Sequence, residues 1–326
     1  MAQHFLLSTK ARTLSLAQVL RLTDDEAYDA FKAIRFATNN GEAFCPKCGS
    51  VDLWHLAKRK MWRCKADECG CQFSITSGTI FHSRKLSVRD ILSAIAIFAN
   101  GAKGHSALQL SRDLDVQYKT AFVMAHKIRE AMASEDAGAK VSGEVEIDGM
   151  YAGGYVKPGN RVQDRRDRRL IANQNGKRVV VLAARERNGK TITLVAKSEH
   201  EGVPAIESRI APGSTVIADE ASAWDQMYAR FPMRRINHSE AYSDLNGTST
   251  NQVESFFSRL RRAEIGTHHH VAGPYLASYA AEMDWREDNR RISNGEQYGR
   301  IVRAAAIHPV SRQWKGYWQR RRSVAA

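Results

Sequence analysis

Two groups of residues in this chain have the types and spacing that chemistry uses. The first is a set of thiols. All five cysteines fall within CPKCGSVDLWHLAKRKMWRCKADECGC, positions 45 to 71. Cys45 and Cys48 form a C-x2-C knuckle followed by Gly49; Cys64 comes after fifteen further residues and Cys69 after four more. In a chain without a secretory signal, thiols grouped in two pairs point to tetrahedral Zn2+ before disulfides. A short module of this kind needs its metal to fold. Four protein ligands close the coordination shell, so the zinc is structural and leaves no open position for catalysis. Cys69 and Cys71 compete for the fourth place. The intervening VDLWHLAKRKMWRC alternates as two short strands with basic residues on the exposed side.

The second group is acidic. GEVEIDGMYAGG alternates, which places Glu144, Glu146 and Asp148 on one face, Val145 and Ile147 on the other, and Asp148 at the strand's end. TVIADEASAWDQMYARF reads as an apolar strand that ends at Asp219 and leads into a helix. Sites in open sheets gather at strand ends. Glu254 is the one carboxylate of the basic, apolar helix NQVESFFSRLRR. Asn251 and Glu254 also have capping-box spacing, with Glu254 reaching back to the cap. Arg261 lies two helical turns beyond Glu254, on nearly the same face. One Asp at a strand end is ordinarily a turn residue; two of them beside a helix-borne Glu form a constellation.

The elements that must hold these groups emerge from periodicity. TDDEAYDAFKAIRF opens with a capping box, Thr23 to Glu26, and sets Ala27, Phe31 and Ile34 on one face. VRDILSAIAIFAN is an apolar helix. SALQLSRDLDVQYKTAFVMAHKIREAMA reads as helix, short turn near Asp115 and Val116, and longer helix. That is a helix-turn-helix pattern whose second helix presents Lys119, His126, Lys127 and Arg129 to DNA. The polar stretch 134–143 marks a boundary. Beyond it come three strands (the last two joined by the Asn-Gly turn of RNGK), a helix, a strand, a helix and a strand. These make a mixed α/β sheet flanked by helices. The arginine-rich KPGNRVQDRRDRRLIANQNGK reads as an insertion that lies along a DNA backbone. The predicted divisions are an N-terminal helical segment (1–40), a zinc ribbon (41–83), a helix-turn-helix-like region (84–135), a catalytic domain (143–299) and a basic tail (300–326).

Charge names the partner. The chain has 326 residues, with 49 Lys and Arg against 35 Asp and Glu, a formal charge of +14. A surplus of that size favours a polyanion, most often nucleic acid. No stretch approaches the roughly 18 apolar residues of a membrane span, and the N-terminus lacks a signal-peptide pattern. The expected location is the cytosol, bound to the nucleoid.

Seven motifs occur in order over roughly residues 24 to 291: CPKCGS, CQFSITSGTIF, VEIDGMYAGG, VIADEA, TNQVESFFSRLRR, GTHHHV and YAAEMDWREDNRR. In these the chain resembles the DDE transposases of bacterial insertion sequences, in the group with an N-terminal zinc ribbon. The resemblance implies a ribonuclease H-like core with Asp148, Asp219 and Glu254 as its catalytic triad. Arg261 stands where the family usually has lysine, which keeps the charge but changes its geometry. The family's ribbon cysteine stands three residues ahead of its QF pair, which matches Cys69 and leaves Cys71 over. The family often has Asp-Glu at the first acidic site, where this chain has Asp148-Gly149, and some relatives replace the last acid, which makes Asn251 a rival third ligand. The implied cofactors are two Mg2+ or Mn2+ ions clamping the scissile phosphate. The implied partners are the element's terminal inverted repeats, target DNA and further copies of the chain in a dimer or higher oligomer. An inactive zinc-ribbon regulator and a nuclease without end joining are the alternative functions.

Other polar residues add to the set. His238 follows the last core strand and fits either an approach to the phosphate or a hydrogen-bonded structural role. Glu282 and Arg286 form an i,i+4 pair on a helix, and the resemblance points Arg286 toward DNA. The triple histidine 268–270 suits packing and DNA contact. The tail after Arg300 interleaves Trp with Arg and carries no acid, which reads as a nucleic-acid-binding extension or simply a solvated end.

Overall fold

The computed structural model describes residues 5–154, 159–167, 170–173, 175–237, 243 and 247–318. Along the chain run helices α1 (Leu16–Leu20) and α2 (Asp24–Arg35), strands β1 (Leu53–Leu56), β2 (Met61–Cys64) and β3 (Gln72–Ser74), and helices α3 (Val88–Asn100), α4 (Ala107–Asp113) and α5 (Tyr118–Glu135). Then come β4 (Glu144–Gly153), β5 (Arg178–Glu186), β6 (Thr191–Ala196), α6 (Glu199–Glu207), β7 (Thr215–Asp219), β8 (Met233–Ile236), α7 (Asn251–Ala263), α8 (Gly273–Asp288) and α9 (Asn294–Ile307). Two compact units divide these elements. One takes the chain up to Glu135 and again from Asn289; the other is Asp136–Asp288.

In the first unit, α3 is apolar nearly all round and correspondingly buried, with Ile91, Ala94, Ile95 and Phe98 fully enclosed. It packs against α1, α2, α5 and α9. The capping box at Thr23 forms as expected, with Glu26 N–H donating to the Thr23 hydroxyl and Glu26 accepting from Thr23 N–H. Strands β1, β2 and β3 make an antiparallel ribbon. Its buried Trp62 stacks on Phe73 of β3 at 5.6 Å and on Tyr28 of α2 at 6.4 Å, with Phe36 edge-on at 6.0 Å. The ribbon therefore borrows its core from α2, and a division at residue 40 cuts through that core. Helices α4 and α5 pack together across a short turn in which Asp115 takes a left-handed φ of 49°.

The C-terminus departs from expectation. The catalytic domain was expected to run to residue 299, with a separate tail from 300, whereas α9 and the residues after it belong to the first unit. The reason is hydrophobic: Ile301, Val302 and Ala305 are fully buried as α9 packs against α3, α5 and α2. Trp314, expected on a DNA-facing extension, is 2 % exposed. It stacks on His126 of α5, ring centroids 4.1 Å apart.

The second unit is a five-stranded sheet in the order β6-β5-β4-β7-β8, antiparallel from β6 to β4 and parallel from β4 to β8. The β5–β6 hairpin turns at Asn188, φ 59°, as its Asn-Gly signal requires. Both faces of the sheet are covered. Val145, Ile147, Leu182, Val216 and Ala218 pack on the α6 side with Val203, Trp224 and Met227. Met150, Ala152, Val181 and Ala183 pack with α7 and α8 through Val253, Phe256, Leu260 and Leu276. The element after β7 is a 3-10 stretch, Ser222–Ala229, where an α-helix was expected. Between β4 and β5, the described arginines 161, 165 and 166 are exposed beside a short 3-10 turn, Val162–Asp164.

Candidate active site and zinc centre

Sheet register brings the first two acids together. Strand β4 pairs in parallel with β7 as Glu144↔Thr215, Val145↔Val216 and Glu146↔Ile217. Two residues beyond that ladder stand Asp148 on one strand and Asp219 on the other, at matching positions. The side-chain alternation that sends Val145, Ile147, Val216 and Ala218 toward α6 sends Asp148 and Asp219 to the other face. That is the face covered by α7, which carries Glu254. Asp148 does not end its strand, contrary to the expectation from sequence. Strand β4 continues to Gly153 against β5, with Asp148 opposite Ala183. What ends near Asp148 is the pairing with β7, and the parting of β4 from β7 exposes the acid at the sheet's middle.

Each acid is held. Asp148 Oδ1 accepts from Gly149 N–H at 2.7 Å. Asp219 Oδ1 accepts from the buried Trp224 indole N–H at 2.8 Å and from Ala221 N–H at 3.1 Å. Glu254 Oε1 accepts from the Thr250 hydroxyl at 2.6 Å. Burial, with the carboxylates of Asp219, Glu254 and Glu199 acting against the Gly149 amide, pushes the Asp148 carboxyl up to about 7. The charges of Asp219 and Glu254 therefore reach Asp148.

The expected capping box does not form. Thr250 occupies the N-cap position without a side-chain cap, and Asn251 is the first helical residue. The capping is done from across the sheet. Glu146, 1 % exposed, accepts from Gln252 N–H at 2.8 Å and Val253 N–H at 3.1 Å. A carboxylate there satisfies two orphan amides and complements the helix dipole. Arg187 of the β5–β6 turn joins it, donating to Glu146 at 3.1 Å, to Glu144 at 2.8 Å and to the Gly247 carbonyl at 2.7 Å. Strand β4 therefore supplies Asp148 and, two residues earlier, the anchor that sets the helix bearing Glu254.

Glu199, at the start of α6, is a fourth carboxylate at this site, one that sequence reasoning misses. Burial and Asp219 raise its carboxyl above the usual range, against Arg178. A Cβ on residue 149 would stand 2.5 Å from Glu199 Oε1, so the glycine after Asp148 is what admits this side chain. The sequence signal is the Asp-Gly pair itself, in a place where the family often has Asp-Glu.

Arg261 is exposed on α7, two turns beyond Glu254, and Asn251 is exposed at the start of the same helix. Arg286, expected to reach DNA, is instead 6 % exposed and donates through Nε and a terminal nitrogen to the buried Glu282, at 2.9 and 2.8 Å, which takes it out of the DNA-facing set. Arg129, expected on the outer face of α5, is fully buried. It donates to the His105 carbonyl at 3.3 Å and lies over the Phe98 ring. Both arginines find carboxylate, carbonyl or ring partners inside the fold, which is what makes burial of a guanidinium tolerable. Lys119 is exposed and Lys127 half-buried on α5. His268 packs edge-on against Tyr279 at 4.6 Å, in keeping with a packing role. His238 lies outside the described residues.

The thiols resolve their own ambiguity. The sulfurs of Cys45, Cys48, Cys64 and Cys69 all lie within 4.8 Å of one another. Cys45 Sγ is 3.7 Å from Cys69 Sγ, and Cys48 Sγ is 3.5 Å from Cys64 Sγ. A tetrahedron with bonds of about 2.3 Å has edges of roughly 3.8 Å, so the four fit Zn2+. Cys71 stands aside, its thiol against the Gln72 carbonyl. Burial pushes the Cys45 thiol up, and the backbone amides of Cys48 and Lys47 with the neighbouring thiols more than reverse it, to about 7.

A five-stranded mixed sheet covered by helices on both faces, with a zinc ribbon in the same chain, is the architecture of a ribonuclease H-like core joined to a zinc ribbon. Residues 140–288 match the family model of the ISXO2-like transposase domain, and residues 22–72 match that of the transposase zinc-ribbon domain. No curated protein matches the chain. The protein belongs to the insertion-sequence DDE transposases with an N-terminal zinc ribbon. The ribbon model begins at residue 22, so it includes α2, in agreement with the shared aromatic core. No helix of the described residues is long and apolar enough to cross a membrane.

Proposed function

We propose that this transposase cuts at the ends of its element and joins the freed 3′-hydroxyls to target DNA, using Asp148, Asp219 and Glu254 with Mg2+ or Mn2+. The observation behind this reading is that Asp148 and Asp219 lie on the sheet face that α7, the helix of Glu254, covers, with the Asp148 carboxyl raised by burial and further by Asp219 and Glu254. The donors are carboxylate oxygens, the ligands that hard divalent cations select. Their mutual repulsion is what such a cation relieves. When bound, the ions supply an activated nucleophile and charge stabilisation at the scissile phosphate.

The chain's own residues do the positioning. Asp148 and Asp219 present carboxylates from adjacent strands, and the Trp224 and Ala221 N–H groups fix one oxygen of Asp219 so that the other points away. Glu146 pins the N-terminus of α7, and Thr250 orients Glu254. In the first reaction water displaces the 3′ oxygen at the element end. In the second the freed 3′-hydroxyl attacks a target phosphodiester and expels its 3′ oxygen, so phosphodiester bonds are exchanged without another energy source. Joining two ends requires two such sites, which calls for a dimer or higher oligomer on DNA. The zinc ribbon and α4–α5 contact the terminal repeats. Arg261 contacts phosphate near Glu254.

A strand-transfer assay with labelled terminal-repeat DNA and a plasmid target tests the reading. Wild-type protein with Mg2+ should give joined products. Glu254→Gln should abolish them while Asn251→Ala keeps them. The reverse pattern moves the third ligand to Asn251, and cleavage without joining by the wild type leaves a nuclease.

A further inference from the structure

A cavity of about 690 Å³ opens in the first unit between the loop 81–86, α5 and the C-terminal turn 314–318. Five basic side chains from these three segments line it: Arg84 and Lys85, Lys119 and Lys127, and Lys315. None of the described lining residues is acidic. The apolar part of the wall combines Leu86, Val123 and Met124 with aromatic rings, among them Trp314, Tyr317 and Trp318. The turn is fixed on α5 by Trp314, which stacks on His126, and by Phe122, whose ring lies 6.2 Å from Tyr317 and 6.0 Å from Trp318. Trp318 donates its indole N–H to the Lys119 carbonyl at 3.3 Å, and Lys119 Nζ stands 5.4 Å from the same ring. Tyr317 and Trp318 are only half-buried, so parts of their rings face outward.

Cations without acids attract phosphate, and half-open aromatic rings attract flat apolar faces. A single-stranded nucleic acid offers both in alternation. A duplex offers the phosphates but hides its base faces in the stack. The volume lies within the roughly 300–1,000 Å³ of pockets that hold small organic ligands, enough for one or two nucleotides. We infer that this groove binds an unpaired segment of DNA, with its phosphates on Arg84, Lys85, Lys119, Lys127 and Lys315 and a base stacked on Trp318. The inference rests on the transposase reading, in which strand cutting at an element end frays the duplex and leaves nucleotides unpaired. It also accounts for Lys119 and Lys127, which face this groove while their helix neighbours His126 and Arg129 are buried.

The test uses the full-length protein and fluorescence anisotropy with two probes, a labelled ten-nucleotide oligo-dT and a labelled blunt terminal-repeat duplex. Stacking on an aromatic side chain is worth roughly 5- to 150-fold in affinity per base. Trp318→Ala should therefore weaken oligo-dT binding at least fivefold, Trp318→Phe should retain most of it, and duplex affinity should change less than twofold in both. Lys85→Ala should weaken oligo-dT binding and lower its salt slope by about 0.7. Equal losses on both probes, or oligo-dT affinity untouched by Trp318→Ala and Lys85→Ala, would overturn the groove while leaving the transposase reading intact. Wild-type protein that binds neither probe would remove both.

Discussion

Asp148→Asn should make the protein more stable while destroying its activity. The side chain keeps its shape, and the amide oxygen still accepts from Gly149 N–H, at 2.7 Å in the native site. What is lost is the charge. Asp148 titrates at about 7 in the folded chain against an ordinary 3.8. The folded state thus holds the proton more tightly than the unfolded one. Its stabilising effect is complete below pH 3.8 and is lost as pH rises through about 7. Above that, ionised Asp148 costs the folded state about 4 kcal/mol, since raising a pKa tenfold in affinity for the proton corresponds to roughly 1.36 kcal/mol. The same linkage gives about 2 kcal/mol at pH 5.

The assay is urea unfolding of wild-type and Asp148→Asn proteins between pH 5 and 8. Buffers should lack Mg2+ and any chelator, so that the ribbon keeps its zinc. The variant's advantage should grow from about 2 to about 4 kcal/mol across that range. Added Mg2+ should stabilise the wild type and narrow the gap. An advantage that is constant with pH, or a variant less stable than wild type at pH 8, would refute the claim that burial and the neighbouring carboxylates make ionised Asp148 costly.

Two further outcomes rest on the geometry. Cys64→Ser should release the zinc and unfold the ribbon, whereas Cys71→Ser should keep one zinc per chain, as read by metal analysis; zinc loss from Cys71→Ser would contradict the Cys45–Cys48–Cys64–Cys69 set. Glu146→Gln removes the charge that caps α7 and pairs with Arg187, and should cost about 1–3 kcal/mol of stability. It should also slow cleavage at least tenfold without weakening duplex binding, and unchanged cleavage would show that α7 does not need this anchor.

Local signals made much of the molecule legible. Thiol spacing is a local property, so the zinc site was plain, but Cys69 and Cys71 are two residues apart and only the ribbon's three-dimensional turn separates them. Alternation gave β4 its faces and put Asp148 beside Glu146. It did not give the strand's length, because Gly149, Gly153 and Gly154 look like a break while β5 continues to pair. The capping of α7 was unreadable for a different reason: Glu146 lies 106 residues before Gln252, and a nearer candidate had the right spacing. Arg129 and Arg286 show that a guanidinium on a helix carries no mark of which way it faces. Glu199 could be reached only through the space above Gly149.

The most direct measurement of the central claim is single-strand cleavage of terminal-repeat DNA by Asp219→Asn protein with Mg2+, beside binding of the same DNA. Asp219 stands two residues past the β4–β7 ladder, as Asp148 does on its own strand, and is oriented by Trp224. Its loss should slow cleavage by on the order of a thousandfold or more, with DNA affinity within a few-fold of wild type. Cleavage by Asp219→Asn at the wild-type rate would contradict the account.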